Sequence, residues 1–162
     1  MNSSDDPWWK GPRGEWYVVT QVLLFVLVVW GPRHLADLGW PLSGTASFGA
    51  GVALMGLGVA LSLAAAFNLG ANLTPLPHPK DDARFVASGP YRLVRHPMYG
   101  GVILLALGWA FYVEGALTLA YAVLTVVFFD IKTRREENWL MRRFPEYAAY
   151  RQRVRKLIPF VY

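Results

Sequence analysis

Four apolar runs separated by short polar breaks organise the chain. The first, Trp16 to Trp30, has Thr20 and Gln21 as tolerated polar positions and stops at Gly31-Pro32, a glycine–proline helix terminator. The second, Ala46 to Leu69, is 24 residues without a charge, a length that suits a membrane span. Gly49, Gly51, Gly56 and Gly58 in its first half permit close helix packing. Met98 to Val113 and Gly115 to Phe129 follow, divided only by Glu114-Gly115. One helix through both would be about 48 Å long, well beyond a bilayer, so the pattern predicts a tight hairpin of two short spans with Glu114 at its outer tip. After Phe129 the sequence turns strongly charged but keeps Ile131, Trp139, Leu140, Phe144 and Tyr147. This predicts that the fourth helix runs on out of the membrane as an amphipathic extension. Pro145 should interrupt it, and a second short helix should carry Tyr147, Tyr150 and Val154. The expected fold is an all-α integral membrane protein, a single membrane domain over residues 1–162. Its four transmembrane helices lie at about 16–31, 46–69, 97–113 and 115–131, with a cytosolic C-terminal helical extension.

The connections refine this picture. Residues 1–14 are polar, and Trp8-Trp9 would sit at head-group level if the segment is interfacial; a disordered segment is the equal alternative. The segment lacks the basic start of a cleavable signal peptide, so the first apolar run is expected to stay in the mature protein. Residues 33–45 form a short outer link with Trp40 and Pro41. Residues 70–96 form the longest polar connection, and its Pro75, Pro77 and Pro79 predict extended backbone lying across the cytosolic face. The apolar tail, Ile158 to Tyr162, can fold back against the membrane.

Composition agrees: 54% of the 162 residues are hydrophobic and 15% aromatic, too apolar for an ordinary soluble domain. The absence of cysteine excludes disulfides, thiolate metal sites and a cysteine nucleophile. The net charge of +5 could suggest nucleic acid, but the basic residues flank apolar segments, which argues against that partner and for membrane topology. With both termini inside, all but Arg33 of the 16 lysines and arginines fall on the cytosolic side, as the positive-inside rule requires.

The chemistry-bearing stretch is Ser88 to Gly101. Pro97 suits the first helical position and His96 the residue before it. The free N–H groups of that turn, with Arg92, Arg95 and His96, would receive a carboxylate or phosphate. Gly100 and Gly101 leave one helix face bare for a flat ligand or another helix, and Tyr91 and Tyr99 offer aromatic faces to a cation or an adenine ring. The competing reading is a plain juxtamembrane turn, with arginines on lipid head groups and tyrosines in the interfacial belt.

The second candidate is Lys132 to Leu140. Glu136 and Glu137 lie about 100° apart around a helix, so one can face inward while the other meets solvent or arginine. An inward carboxylate could hold ribose hydroxyls, an amino group or a sulfonium; a solvated face of Arg–Glu pairs is the structural alternative. Trp139 reads as an interfacial anchor or a ligand platform, and Asn68 and Asn72 as substrate ligands or caps. The three histidines lack metal-ligand spacing, so no metal is expected.

Gly89-Pro-Tyr-Arg-Leu-Val-Arg-His-Pro-Met-Tyr99, then a helical hairpin, Glu136-Glu137, and Phe144-Pro-Glu-Tyr147 with Tyr150 and Val154, resembles the isoprenylcysteine carboxyl methyltransferase family, which is related to membrane phospholipid methyltransferases. The resemblance covers roughly residues 68–160. It implies S-adenosylmethionine bound at the cytosolic membrane edge under the connecting loop. Gly89, Tyr91, Leu93, Val94, Arg95, His96, Tyr99, Gly100 and Glu137 are the implied cofactor contacts, and Glu136 and Lys132 the implied catalytic residues. Asn68, Asn72 and Trp139 are assigned to a lipophilic or lipid acceptor. Lys132 stands where the family has an arginine that orients a substrate carboxyl, and lysine cannot make that flat two-point clamp. Pro145 replaces a usual glycine. The short N-terminal half is similar to smaller prokaryotic members, which implies a prokaryotic plasma membrane. O- or carboxyl-methylation is the favoured reaction. The rival readings are a sterol-reductase-like enzyme using NADPH and a non-enzymatic lipid-binding protein.

Overall fold

Among the described residues of the computed structural model there are five α-helices, α1 (Glu15–Trp30), α2 (Gly44–Leu69), α3 (Pro97–Tyr112), α4 (Ala116–Arg143) and α5 (Tyr147–Arg153), with 3-10 turns at Gly70–Asn72 and Gly89–Arg92. It describes residues 14–34, 39–40, 42, 44–76, 78 and 82–158. The expectations for the N-terminal tryptophans, Pro41, Pro77, Pro79 and the last four residues lie outside those. Among the described residues there is no β-strand, only an isolated bridge between Val94 and Arg155.

Among the described residues two helices, α2 and α4, are long and apolar enough to cross a membrane. The 28 residues of α4 span about 42 Å, roughly 12 Å more than a hydrocarbon core, so its charged end extends beyond the bilayer. Helices α1 and α3 are apolar but have 16 residues each, about 24 Å.

Each boundary has a local cause. Gly31 closes α1 through its N–H to Leu27 O at 2.9 Å. The α3–α4 hairpin turns at Glu114, whose φ of 50° is the one positive value at a non-glycine described residue. Phe144 stops α4 in extended backbone, as residues before proline do.

The tightest packing is between α2 and α3, and it selects among the predicted glycines. A Cβ on Gly58 would lie 2.7 Å from Gly101 O, and one on Gly51 2.8 Å from Gly108 O. Gly49 and Gly56 instead face open space. Two helices seven residues in step, glycine on glycine, bring backbones into contact where lipid supplies no hydrophobic drive for association. The Glu114 end of the bundle is tied by Leu117 N–H to Arg33 O at 3.0 Å and by Ser47 Oγ donating to Phe111 O at 2.7 Å. The opposite end gathers the long loop, the turn before α3, the charged half of α4, and α5.

Candidate functional site

The turn before α3 is fixed by the chain on both sides of it. Gly89 sits at φ +54°, and a Cβ there would lie 2.8 Å from the Asn68 side-chain amide, so glycine is needed both for the conformation and for the space. Ser88 Oγ donates to Asn68 Oδ1 at 3.2 Å. Farther along, the C-terminal segment runs beside the turn. Arg95 N–H donates to Arg155 O at 2.8 Å and His96 N–H to Lys156 O at 3.1 Å. His96 then caps α3, with Pro97 at its first position.

This backbone aims two side chains at α4. Arg95 Nε donates to Glu137 Oε1 at 2.7 Å, and His96 Nε2 lies 3.1 Å from the same oxygen. Arg151 Nε from α5 reaches Glu137 Oε2 at 3.2 Å. Burial alone would raise this carboxyl, but the bonds from His96 and Arg95 outweigh it and hold the group down at about 2. Glu137 is therefore a buried anion saturated by its neighbours.

Glu136, one residue earlier, faces elsewhere. Its Oε2 accepts from the Tyr99 hydroxyl at 2.9 Å, and both side chains line a cavity of about 110 Å³ that opens to solvent. The long loop covers it, the turn and α3 form its floor, and α4 and α5 close the side. Phe85 from the loop packs its ring 5.4 Å from Tyr150 and 5.9 Å from Phe144. Tyr99 stacks between His96 at 5.7 Å and Phe129 at 4.6 Å. Tyr150 donates its hydroxyl to Tyr91 O at 2.6 Å. The Tyr147 hydroxyl, on the same wall, is buried with no partner in the structure. Burial pushes the phenols of Tyr91 and Tyr147 upward and that of Tyr150 to about 12, so all three remain donors at neutral pH. One carboxylate, the unpartnered Tyr147 hydroxyl and several rings suit a ligand that is flat at one end and cationic or hydroxyl-bearing at the other.

The predicted residues divide. Asn72, Tyr91, Arg95, His96, Tyr99 and Glu136 line the cavity. Gly89, Leu93, Val94, Gly100, Lys132, Glu137, Asn68 and Trp139 do not. Leu93 is exposed and Val94 buried, and Gly100 instead admits the tail, 3.5 Å from Leu157 O to a Cβ placed there. Arg92 is exposed and also off the cavity. Trp139 packs between His78 and the Arg135 guanidinium. Neither asparagine is a cap: Asn72 pairs with the Arg84 backbone, donating at 2.9 Å and accepting at 3.0 Å, which ties the loop back over α2. Lys132, 1% exposed, donates to Gln21 Oε1 at 2.7 Å and Pro75 O at 3.1 Å, under the Tyr99 ring at 5.1 Å.

Phe85, Met98, Leu140 and Phe144 line the cavity without having been singled out as site residues. The available signal was Phe85, a large aromatic inside an otherwise polar connection. Tyr147 and Tyr150 stood in the motif but carried no site role.

Comparison with known proteins matches residues 46–147 to the phospholipid methyltransferase family. A probable protein-S-isoprenylcysteine O-methyltransferase of Oryza sativa subsp. indica is 34% identical over 86 residues, 52% of this chain and 45% of that protein. Methanethiol S-methyltransferase 1 of Bradyrhizobium diazoefficiens is 38% identical over 78 residues, 48% of this chain and 27% of its own length. The chain thus aligns with less than half the length of these curated relatives. Among solved structures, the eukaryotic intramembrane Ras methyltransferase ICMT superposes with a TM-score of 0.66 at 23% identity, covering 99% of this chain and 55% of that one, which establishes a shared membrane fold. With the family match covering more than half its length, the chain belongs to the phospholipid methyltransferase family.

Proposed function

We propose that this chain is an S-adenosylmethionine-dependent methyltransferase working at the cytosolic membrane edge on a lipophilic acceptor, with O- or carboxyl-methylation favoured. The carrying observation is the Glu136–Tyr99 pair opening into an aromatic-walled cavity, at the end of the bundle where apolar sequence gives way to charge. The membrane orientation that goes with this reading has four spans and both termini cytosolic, in a prokaryotic plasma membrane. The names of the relatives support methyl transfer.

The residues present fit the cofactor. Glu136 supplies a carboxylate for its cationic part, the Tyr147 hydroxyl is a buried donor in need of an acceptor, and the Phe85, Phe144 and Tyr91 rings suit an adenine face. Once bound, the cofactor supplies an electrophilic methyl group on a sulfonium. Glu136 holds the cofactor by charge while its hydrogen bond to Tyr99 fixes the carboxylate orientation. The Arg95–His96–Glu137 cluster holds the turn in place behind the cavity. Lys132 pins the covering loop through the Pro75 carbonyl, which keeps water from the reacting end. Positioning and water exclusion of this kind lower barriers by on the order of 7–11 kcal/mol. A lipid acceptor would approach from the side, between helices.

The test is to incubate membranes containing the chain with methyl-labelled cofactor and extract the lipids. A labelled lipid made by the native chain and not by Glu136→Ala is expected; alkali-labile release of the label as methanol identifies a carboxyl ester. Label equal to that of membranes lacking the chain overturns the reading.

A further inference from the structure

Arg95 also lines a second cavity, which Glu137 enters and the first cavity's other residues do not. Its lining is Arg95, Arg134, Glu137, Asn138, Arg151, Arg155 and Lys156, around about 390 Å³. Arg134, Glu137 and Asn138 project from one face of α4, being three and four residues apart. The remaining cations come from the turn, from α5 and from the segment that pairs with the turn.

The charges do not cancel. Among the described residues two carboxylates belong to the cluster: Glu137, held by Arg95, His96 and Arg151, and Asp130, held by Arg134 at 2.7 Å and by Lys156. Five cationic side chains line the groove, so it keeps a surplus of three positive charges. Arg151 and Arg134 are 49% and 68% exposed, so their guanidiniums can turn toward a ligand. The groove flanks α4 just beyond Phe129, the last residue of its apolar run. That is head-group depth for a helix that crosses a bilayer.

We infer that this groove is an anion site for a phosphate group, separate from the cofactor cavity and sharing Arg95 with it. Planar guanidiniums give phosphate paired, in-plane hydrogen bonds, and three surplus charges exceed what one phosphodiester neutralises. The phosphate can belong to an anionic lipid head group, favoured by the depth of the site, or to a soluble phosphate. Because Arg95 lines both cavities, an anion drawing on Arg95 will also alter ligand affinity in the first.

The test uses the full chain in nanodiscs and follows its thermal unfolding. Three arms are compared: phosphatidylcholine alone, phosphatidylcholine with phosphatidylglycerol, and phosphatidylcholine with millimolar inorganic phosphate at fixed ionic strength. The expected result is a rise of several degrees with phosphatidylglycerol, lost in Arg155→Glu and kept in Arg153→Glu, a charge-matched change off the groove. A rise with inorganic phosphate in the neutral bilayer, with the same dependence on Arg155, assigns the site to a soluble anion. Native mass spectrometry counting retained phosphatidylglycerol covers the case in which Arg155→Glu folds poorly. No selective stabilisation by either anion, or equal loss in both variants, overturns the inference.

Discussion

The hydroxyl of Tyr99 donates to Oε2 of Glu136 at 2.9 Å, joining the third residue of the apolar helix α3 to a carboxylate on the charged half of α4. This bond holds one acidic residue of the adjacent pair toward the cavity, while Arg95, His96 and Arg151 claim the other. Two neighbouring glutamates thus take different roles because successive helix positions point in different directions.

Glu137 makes the fold acid-sensitive in a defined direction. Its carboxyl lies at about 2 in the folded chain against 4.5 ordinarily, so its contribution is complete above about pH 4.5 and is lost as pH falls toward 2. The shift corresponds to roughly 3 kcal/mol. Apparent melting temperature in detergent, measured from pH 7 to pH 3, should fall more steeply in the native chain than in Glu137→Gln, which starts lower at pH 7.

The Lys132–Gln21 bond can be tested by a double-mutant cycle. Gln21→Leu leaves a buried ammonium short of one acceptor and should cost on the order of 1–3 kcal/mol. Lys132→Met added to it should cost much less than in the native background, because both partners are then apolar. Additive losses, read as apparent melting temperature, would show that the two side chains do not interact.

The α2–α3 contact predicts a sharp positional contrast. Gly58→Ala and Gly101→Ala place a methyl against the facing backbone, 2.7 Å from the partner glycine's oxygen in each case, and should destabilise by about 1–3 kcal/mol. Gly49→Ala and Gly56→Ala, with nothing within 4 Å, should be tolerated. Melting of the four variants in one detergent decides it.

Much of this architecture was legible in the linear pattern. The apolar runs gave the α-helices nearly to their ends, Glu114-Gly115 marked the hairpin, and Pro145 marked the break after α4. What could not be read depends on partners. Four glycines in α2 looked alike, and only the position of α3 separates Gly51 and Gly58 from Gly49 and Gly56. The helix angle between Glu136 and Glu137 implied that one faces inward; which one follows from where Tyr99, Arg95 and Arg151 arrive. The pairing of Arg155 and Lys156 with the turn before α3 spans about sixty residues and leaves no periodic trace, since it involves backbone alone. Phe85 joins the cavity through a loop whose path no local rule specifies.

The central claim is that the cavity facing Glu136 and Tyr99 holds an adenosyl ligand, and isothermal titration of the purified chain with S-adenosylhomocysteine measures it most directly. Binding to the native protein should weaken at least tenfold, about 1.4 kcal/mol, in Glu136→Ala and in His96→Ala. Glu114→Ala, at the far end of the bundle, should bind as the native chain does. Equal affinity in all of these proteins, or no binding to the native chain, contradicts the account.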